Sequence, residues 1–114
     1  MRSRVFVLQE SVIPGTAIPM DYSPAEIYGD VEFVLRYDPS HQSRSPINRQ
    51  ALDDLERMVR VYDEETDYIV LTGSPIVFFL AGAAFMSAGK SPTLLTWDRR
   101  TQTYRKNTLE LIGA

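Results

Sequence analysis

The chain contains no cysteine and a single histidine, His41, in 114 residues. A disulfide framework, a cysteine-based zinc ribbon, a dithiol redox centre and a thiol nucleophile are therefore excluded. One histidine also leaves no two-histidine metal site within one chain. Charge of one sign is nearly balanced, with twelve Lys plus Arg against fifteen Asp plus Glu and a net charge of −3. The overall acidity lacks the basic footprint of a typical nucleic-acid-binding domain. Long hydrophobic runs are missing too. The longest, residues 75–86, falls far short of the roughly 20 residues that span a bilayer. Residues 5–8, after the basic start Met1-Arg2-Ser3-Arg4, are too few for a signal-peptide core. The expected address is the cytoplasm, with no membrane attachment. A hydrophobic content of 44% is ordinary for a globular chain, and the length suits one α/β domain covering residues 1–114.

What is present is a repeated pattern of apolar runs and helix signals. Residues 4–10 (RVFVLQE) and 31–37 (VEFVLRY) are rich in β-branched and aromatic residues and predict strands. Between them Pro14, Gly15 and Pro19 forbid regular structure, while Ser23-Pro24-Ala25-Glu26 carries the signature of a capping box and one helical turn ending near Gly29. Ser45-Pro46 predicts the start of a helix. Ala51, Leu52, Leu55, Met58, Val59 and Tyr62 then form one stripe of 3.6-residue period, with Arg49, Asp53, Glu56, Arg57 and Arg60 on the other side.

The acidic turn Asp63-Glu64-Glu65-Thr66-Asp67 leads into an apolar strand at 68–72, suited to cover on both faces. Gly73-Ser74-Pro75 opens a second helix, roughly 75–88, that is apolar nearly all round and needs cover on more than one side. Gly89 ends it, and strands at 93–97 and 102–106 flank the polar break Asp98-Arg99-Arg100-Thr101. The order strand, strand, helix, strand, helix, strand, strand contains a βαβαβ core with right-handed crossovers. The predicted fold is α/β: a small Rossmann-like βαβαβ sheet with two main helices and a C-terminal antiparallel hairpin. Two helices cover a five-stranded sheet sparsely, so a second subunit is expected to cover part of the apolar surface.

Several residue groups bear on function. Thr72-Gly73-Ser74-Pro75 lies where open α/β sheets place ligands and offers helix N-terminal N–H groups and two hydroxyls to an anion. It lacks a lysine, and Pro75 removes one donor, so a plain helix cap explains the same residues. His41, in Ser40-His41-Gln42-Ser43-Arg44, would stand on the same side, near Asp38 and several serines. No nucleophile elbow accompanies it, and a solvated loop histidine is the simpler reading. The carboxylates Asp53, Asp54, Asp63, Glu64, Glu65 and Asp67 lack the ligand spacing of a calcium loop. Residues 53–67 nonetheless hold seven acids and two arginines, whereas residues 99–106 hold Arg99, Arg100, Arg105 and Lys106 with no acid. With Trp97 and Tyr104 nearby, that hairpin could hold a nucleic-acid backbone and stack bases. Self-association or a protein partner is the preferred reading of the asymmetry, an ordinary charged hairpin comes next, and nucleic acid ranks well below both.

One combination resembles a known group. Gln9-Glu10, Asp21-Tyr22-Ser23-Pro24-Ala25 with Tyr28-Gly29, Asp67-Tyr68 before a strand ending at Gly73, and Leu94-Leu95-Thr96-Trp97-Asp98-Arg99 with Tyr104 resemble small bacteriophage-encoded α/β proteins. The resemblance implies a viral gene product acting in the cytoplasm of an infected bacterium, and it carries no chemistry onto a residue. Residues 69–82 are also similar to the cyclic-nucleotide-sensing Rossmann-like domains of bacterial antiviral systems, without their Gly-Gly-Thr-Lys type of turn.

The expected function is that of a small non-catalytic interaction protein, a phage-type accessory protein that self-associates or docks to a protein partner. Phe78, Phe79, Phe85, Trp97, Arg99, Arg100, Tyr104, Arg105 and Lys106 are its expected interaction residues. The alternative is a nucleotide- or phosphate-binding module using Thr72, Gly73, Ser74 and His41. Nucleic-acid binding through the basic hairpin ranks below both, and a hydrolase around His41 is not favoured. No catalytic residue, metal or cofactor is assigned.

Overall fold

The run RVFVLQ forms an interior strand, β1 (Arg4–Gln9), of the computed structural model, which describes residues 3–13, 15–38 and 46–109. β1 pairs in parallel with β2 (Asp30–Leu35) on one side and with β3 (Tyr68–Val70) on the other, so that Val7 stands between Phe33 and Val70. β3 pairs in parallel with β4 (Thr93–Asp98), and β4 pairs antiparallel with β5 (Thr103–Thr108), Trp97 opposite Tyr104. The sheet order is β2-β1-β3-β4-β5. Strands between two covering layers read as continuous apolar runs. In β1, Val5 and Val7 enter one core while Phe6 and Leu8 enter the other.

The order explains the layers. The chain leaves β1 for β2, returns across β1 to β3, and continues to β4, so right-handed crossovers put the first connection on one face and the next two on the other. α1 (Pro46–Val61) and α2 (Pro75–Ala88) accordingly pack side by side, over a core that includes Leu8, Leu35, Leu55, Ile69 and Phe85. The opposite core holds Val5, Val7, Tyr22, Ala25, Val70 and Leu95, closed by the segment between β1 and β2. The amphipathic stripe of α1 buries Ala51, Leu55, Met58 and Val59, as its periodicity predicts. Ser45, its expected N-cap, lies outside the described residues.

The expected capping box at Ser23 does not form. Ser23–Ile27 is a 3-10 turn whose leading N–H is taken by the Asp21 carboxylate at 2.9 Å. Leu71 and Thr72 fall outside β3, because Thr72 Oγ1 turns to donate to the Gln9 carbonyl at 2.6 Å. β5 begins after Gln102, which closes the hairpin with φ 56°. At the other end of the sheet, Gly89 adopts φ 69° and stops α2, and the next residue, Lys90, donates through Nζ to the carbonyls of Val59, Arg60 and Tyr62 at 2.8, 3.1 and 2.9 Å. A cation there satisfies carbonyls at the end of α1 and opposes the negative end of its dipole.

Tyr62 ties this region together. Its hydroxyl donates to the Asp67 carbonyl at 2.8 Å and accepts from the Thr93 N–H at 3.0 Å, and its ring meets Phe85 edge-on at 5.1 Å. Burial pushes the phenol up to about 12, although the Thr93 N–H works in the opposite direction. The stabilisation is complete below the ordinary tyrosine value near 10 and is lost as pH rises toward the folded value, because the unfolded chain releases the proton first. Between about pH 10 and 12 stability should fall by at most about 1 kcal/mol per pH unit on account of this one group. Denaturant midpoints of the native chain and of Tyr62→Phe in that window check it; equal slopes would contradict it.

Candidate functional site

The path of the chain opens a crevice between the C-terminal ends of β1 and β3, the position at which doubly wound sheets bind ligands. Here a side chain of the protein fills it. Gln9, 4% exposed at the end of β1, accepts the Ser74 N–H at 3.0 Å through Oε1. Its Nε2 donates to the Tyr37 carbonyl at 3.3 Å and to the Asp38 carboxylate. One amide therefore joins the end of β1, the segment after β2 and the first turn of α2.

Gly73 makes this possible. Its φ of 118° is closed to ordinary L side chains, and a Cβ there would stand 2.1 Å from Gln9 Oε1 and 2.7 Å from Gln9 Cβ. Ser74 occupies the N-cap position but makes no side-chain cap bond, and its Oγ is buried without a partner among the described residues.

Outside Gln9 lies an open cleft of about 430 Å³, with Glu10, Ser11, Asp38, Gly73 and Ser74 in its wall. Its two carboxylates oppose the anion-attracting end of α2, and Arg36 reaches only the Glu10 side, at 3.5 Å. A phosphate would have to displace Gln9 and stand beside Glu10 and Asp38. Of the residues expected here, Thr72, Gly73 and Ser74 do converge, but Thr72 Oγ1 and the Ser74 N–H are already engaged. His41 lies outside the described residues. Gln9 was missed by sequence reasoning, since a polar residue ending a strand has no periodic signature.

The expected interaction residues divide between the two faces of the sheet. On the helical face, Phe79 is 78% exposed, Met86 52% and Phe78 37%. Phe85, expected beside them, is instead in the core against Tyr62, because it falls on the sheet-facing side of α2 with Val77, Ala81 and Ala84. The outward stripe of α2 is Phe79, Gly82, Ala83 and Met86, and the helix contains no charged residue. Beside it a mainly apolar groove of about 230 Å³ runs between α2 and β4, with Leu71, Phe78, Gly82, Leu94 and Leu109 along it.

On the opposite face, Trp97 stacks edge-on against Tyr104 at 5.0 Å. Tyr104 is buried, which pushes its phenol above the usual value, with Tyr22 and Asp21 adding to the effect. These two rings, with Ile13, Met20, Asp21 and Gln102, border a cleft of about 450 Å³. The basic residues do not form one patch. Arg105 turns back to Asp98 at 3.6 Å on the helical side, Lys106 lies over the Tyr68 ring at 5.9 Å on the other, and Arg99 and Arg100 are exposed at the turn.

Among the described residues no cluster of three metal-ligating side chains occurs. The scattered acids around α1 are drawn into local pairs, Asp53 with Arg49 at 3.5 Å and Asp54 with Arg57 at 3.0 Å. Asp67 is buried and bound to Arg4. No helix of the described residues is long and apolar enough to cross a membrane.

Strand order and crevice together define a small doubly wound α/β protein with its ligand position occupied from within. The chain belongs to the family described as Phage Pam3 gp32-like protein, which it matches over residues 3–111. No curated protein and no solved structure matches it. The family is that of phage proteins to which the sequence was similar; nothing in the comparisons supports the second similarity, to cyclic-nucleotide-sensing domains.

Proposed function

We propose that this phage-family protein is an accessory protein that acts by docking, with the outward face of α2 as its contact surface and no catalytic role. The observation that carries the reading is Phe79, which stands 78% exposed in the middle of a charge-free helix. Scattered exposed apolar residues are ordinary, whereas contiguous ones mark contact surfaces. Phe78, Phe79, Ala83 and Met86 adjoin one another on the helix and continue into the groove beside β4. Phe and Met are also enriched in interface cores. The site of action on this reading is the cytoplasm of the infected bacterium.

Phosphate binding at the Gly73 turn has less support, because Gln9 already uses the amide that a phosphate would need. Nucleic acid at the hairpin would find one exposed ring, Trp97, and four basic residues divided between the two faces and the turn.

At about 1 μM the native chain should enhance the fluorescence of an apolar dye, and Phe79→Glu should remove most of the enhancement. The substitution should shift stability by no more than about 0.5 kcal/mol, since an exposed helix position away from caps and core tolerates glutamate. A native chain that leaves the dye dark would contradict the reading.

A further inference from the structure

We propose that the surface on α2 is self-complementary: two copies of the chain pair their α2 helices antiparallel about a two-fold axis passing between Gly82 and Ala83. This rests on α2 being the docking surface and adds the identity of the partner and the geometry of the contact.

The first support is the order of side chains. Phe79, Gly82, Ala83 and Met86 fall at i, i+3, i+4 and i+7, one outward stripe of α2. A reversal centred between Gly82 and Ala83 exchanges Phe79 with Met86 and Gly82 with Ala83. The pattern large, small, small, large is thereby returned onto itself, as an isologous contact requires.

The second is Gly82. A glycine inside a helix is unfavourable unless something needs the missing side chain. Nothing among the described residues does, for a Cβ at 82 would meet none of their atoms within 4 Å. Its φ is not among the positive ones, so the backbone conformation does not require glycine either. The small pair at the centre of the stripe would let a second helix come close, with the larger Phe79 and Met86 closing over each end.

The third is charge. α2 carries none, so a copy facing itself meets no like-charge repulsion across the contact. The charged turns lie at opposite ends of the sheet. Asp63, Glu64 and Glu65 are exposed before β3, at the N-terminal edge of the parallel strands, and Arg99 and Arg100 are exposed after β4, at the C-terminal edge. Antiparallel pairing sets the acidic end of each copy level with the basic end of the other. Parallel pairing would align like with like.

The absence of cysteine gives a clean background for cross-linking. In the proposed pairing Phe79 faces the partner's Met86, whereas the two copies of Phe79 are separated by seven residues along the axis, about 10.5 Å. A disulfide requires Cα atoms within about 7 Å. Mixed Phe79→Cys and Met86→Cys chains, oxidised at about 100 μM, should therefore give a covalent dimer, while either variant alone should not. Cross-linking of Phe79→Cys alone, or none in the mixture, would overturn the proposal.

Gly82→Leu supplies a second readout. It should raise the dissociation constant at least tenfold while leaving Tm at monomeric concentration near native, since the first added carbon meets no atom of the described residues within 4 Å. Unchanged association would contradict the close approach. A native chain that remains a 13.0 kDa monomer at the same concentration but still binds dye in a Phe79-dependent way would refute the second copy as partner and leave the docking surface standing. Loss of both signals would refute both.

Discussion

Asp67→Ala is expected to destabilise the fold by about 3 kcal/mol, the cost of breaking a buried ion pair by removing one partner. The Asp67 side chain is 1% exposed and accepts the Arg4 backbone N–H at 3.0 Å, the Arg4 guanidinium at 2.9 Å and the Asp63 N–H at 2.9 Å. It therefore joins the start of β1 to the end of α1 and the start of β3. Alanine would leave two backbone donors without their acceptor and the Arg4 guanidinium with the Val61 carbonyl in place of a carboxylate. Domains of this size are stable by roughly 5–15 kcal/mol, so the loss is a large share of the total and should lower Tm by roughly 10 °C or more. Chemical denaturation of the two chains measures it. A loss under about 1 kcal/mol would mean that the junction is held by packing alone.

Gly73→Val should be comparably damaging, at about 3 kcal/mol from backbone strain together with overpacking. The conformation at φ 118° excludes a β-branched residue, and the contact at 2.7 Å is with Gln9 Cβ, which cannot swing aside as the amide can. β1 and the first turn of α2 would have to separate, breaking the bond between Gln9 and the Ser74 N–H. Thermal unfolding and amide exchange at Ser74 would read the change, and a variant with native Tm and protection would contradict this account of the crevice. A failure of Gly73→Val to bind a phosphate ligand would consequently say nothing about a ligand site.

The elements that depend on local pattern were legible in the sequence. The stripe through Ala51, Leu55, Met58 and Val59 fixed both the existence of α1 and its buried face, and Gly89 marked the end of α2. The face of α2 was not legible. Its residues are apolar on every side, so periodicity cannot distinguish Phe85, which meets Tyr62, from Phe79, which meets solvent. Topology decides that difference, because crossover handedness places α1 and α2 on the same side of the sheet.

The crevice was half legible. Gly73 and the cap residues stand out in sequence, but the partner that fills their crevice, Gln9, comes 64 positions earlier and is brought there by the pairing of β1 with β3. Asp67 looked like one more acid in a solvated turn, and only its apposition to Arg4 gives it a structural role. Trp97 and the arginines were expected to act with the phenylalanines of α2, yet β-strand alternation sends Trp97 to the opposite face.

The mass of the native chain in solution tests the central claim most directly, because α2 is proposed as a contact surface and its natural occupant as a second copy. Light scattering from about 10 to 100 μM spans the range in which a micromolar complex, near −8 kcal/mol, assembles. The account predicts a rise from 13.0 kDa toward twice that value, persisting in high salt, and a Phe79→Glu chain that stays at 13.0 kDa throughout. A native mass of 13.0 kDa over the whole range, or an association that Phe79→Glu leaves intact, would contradict it.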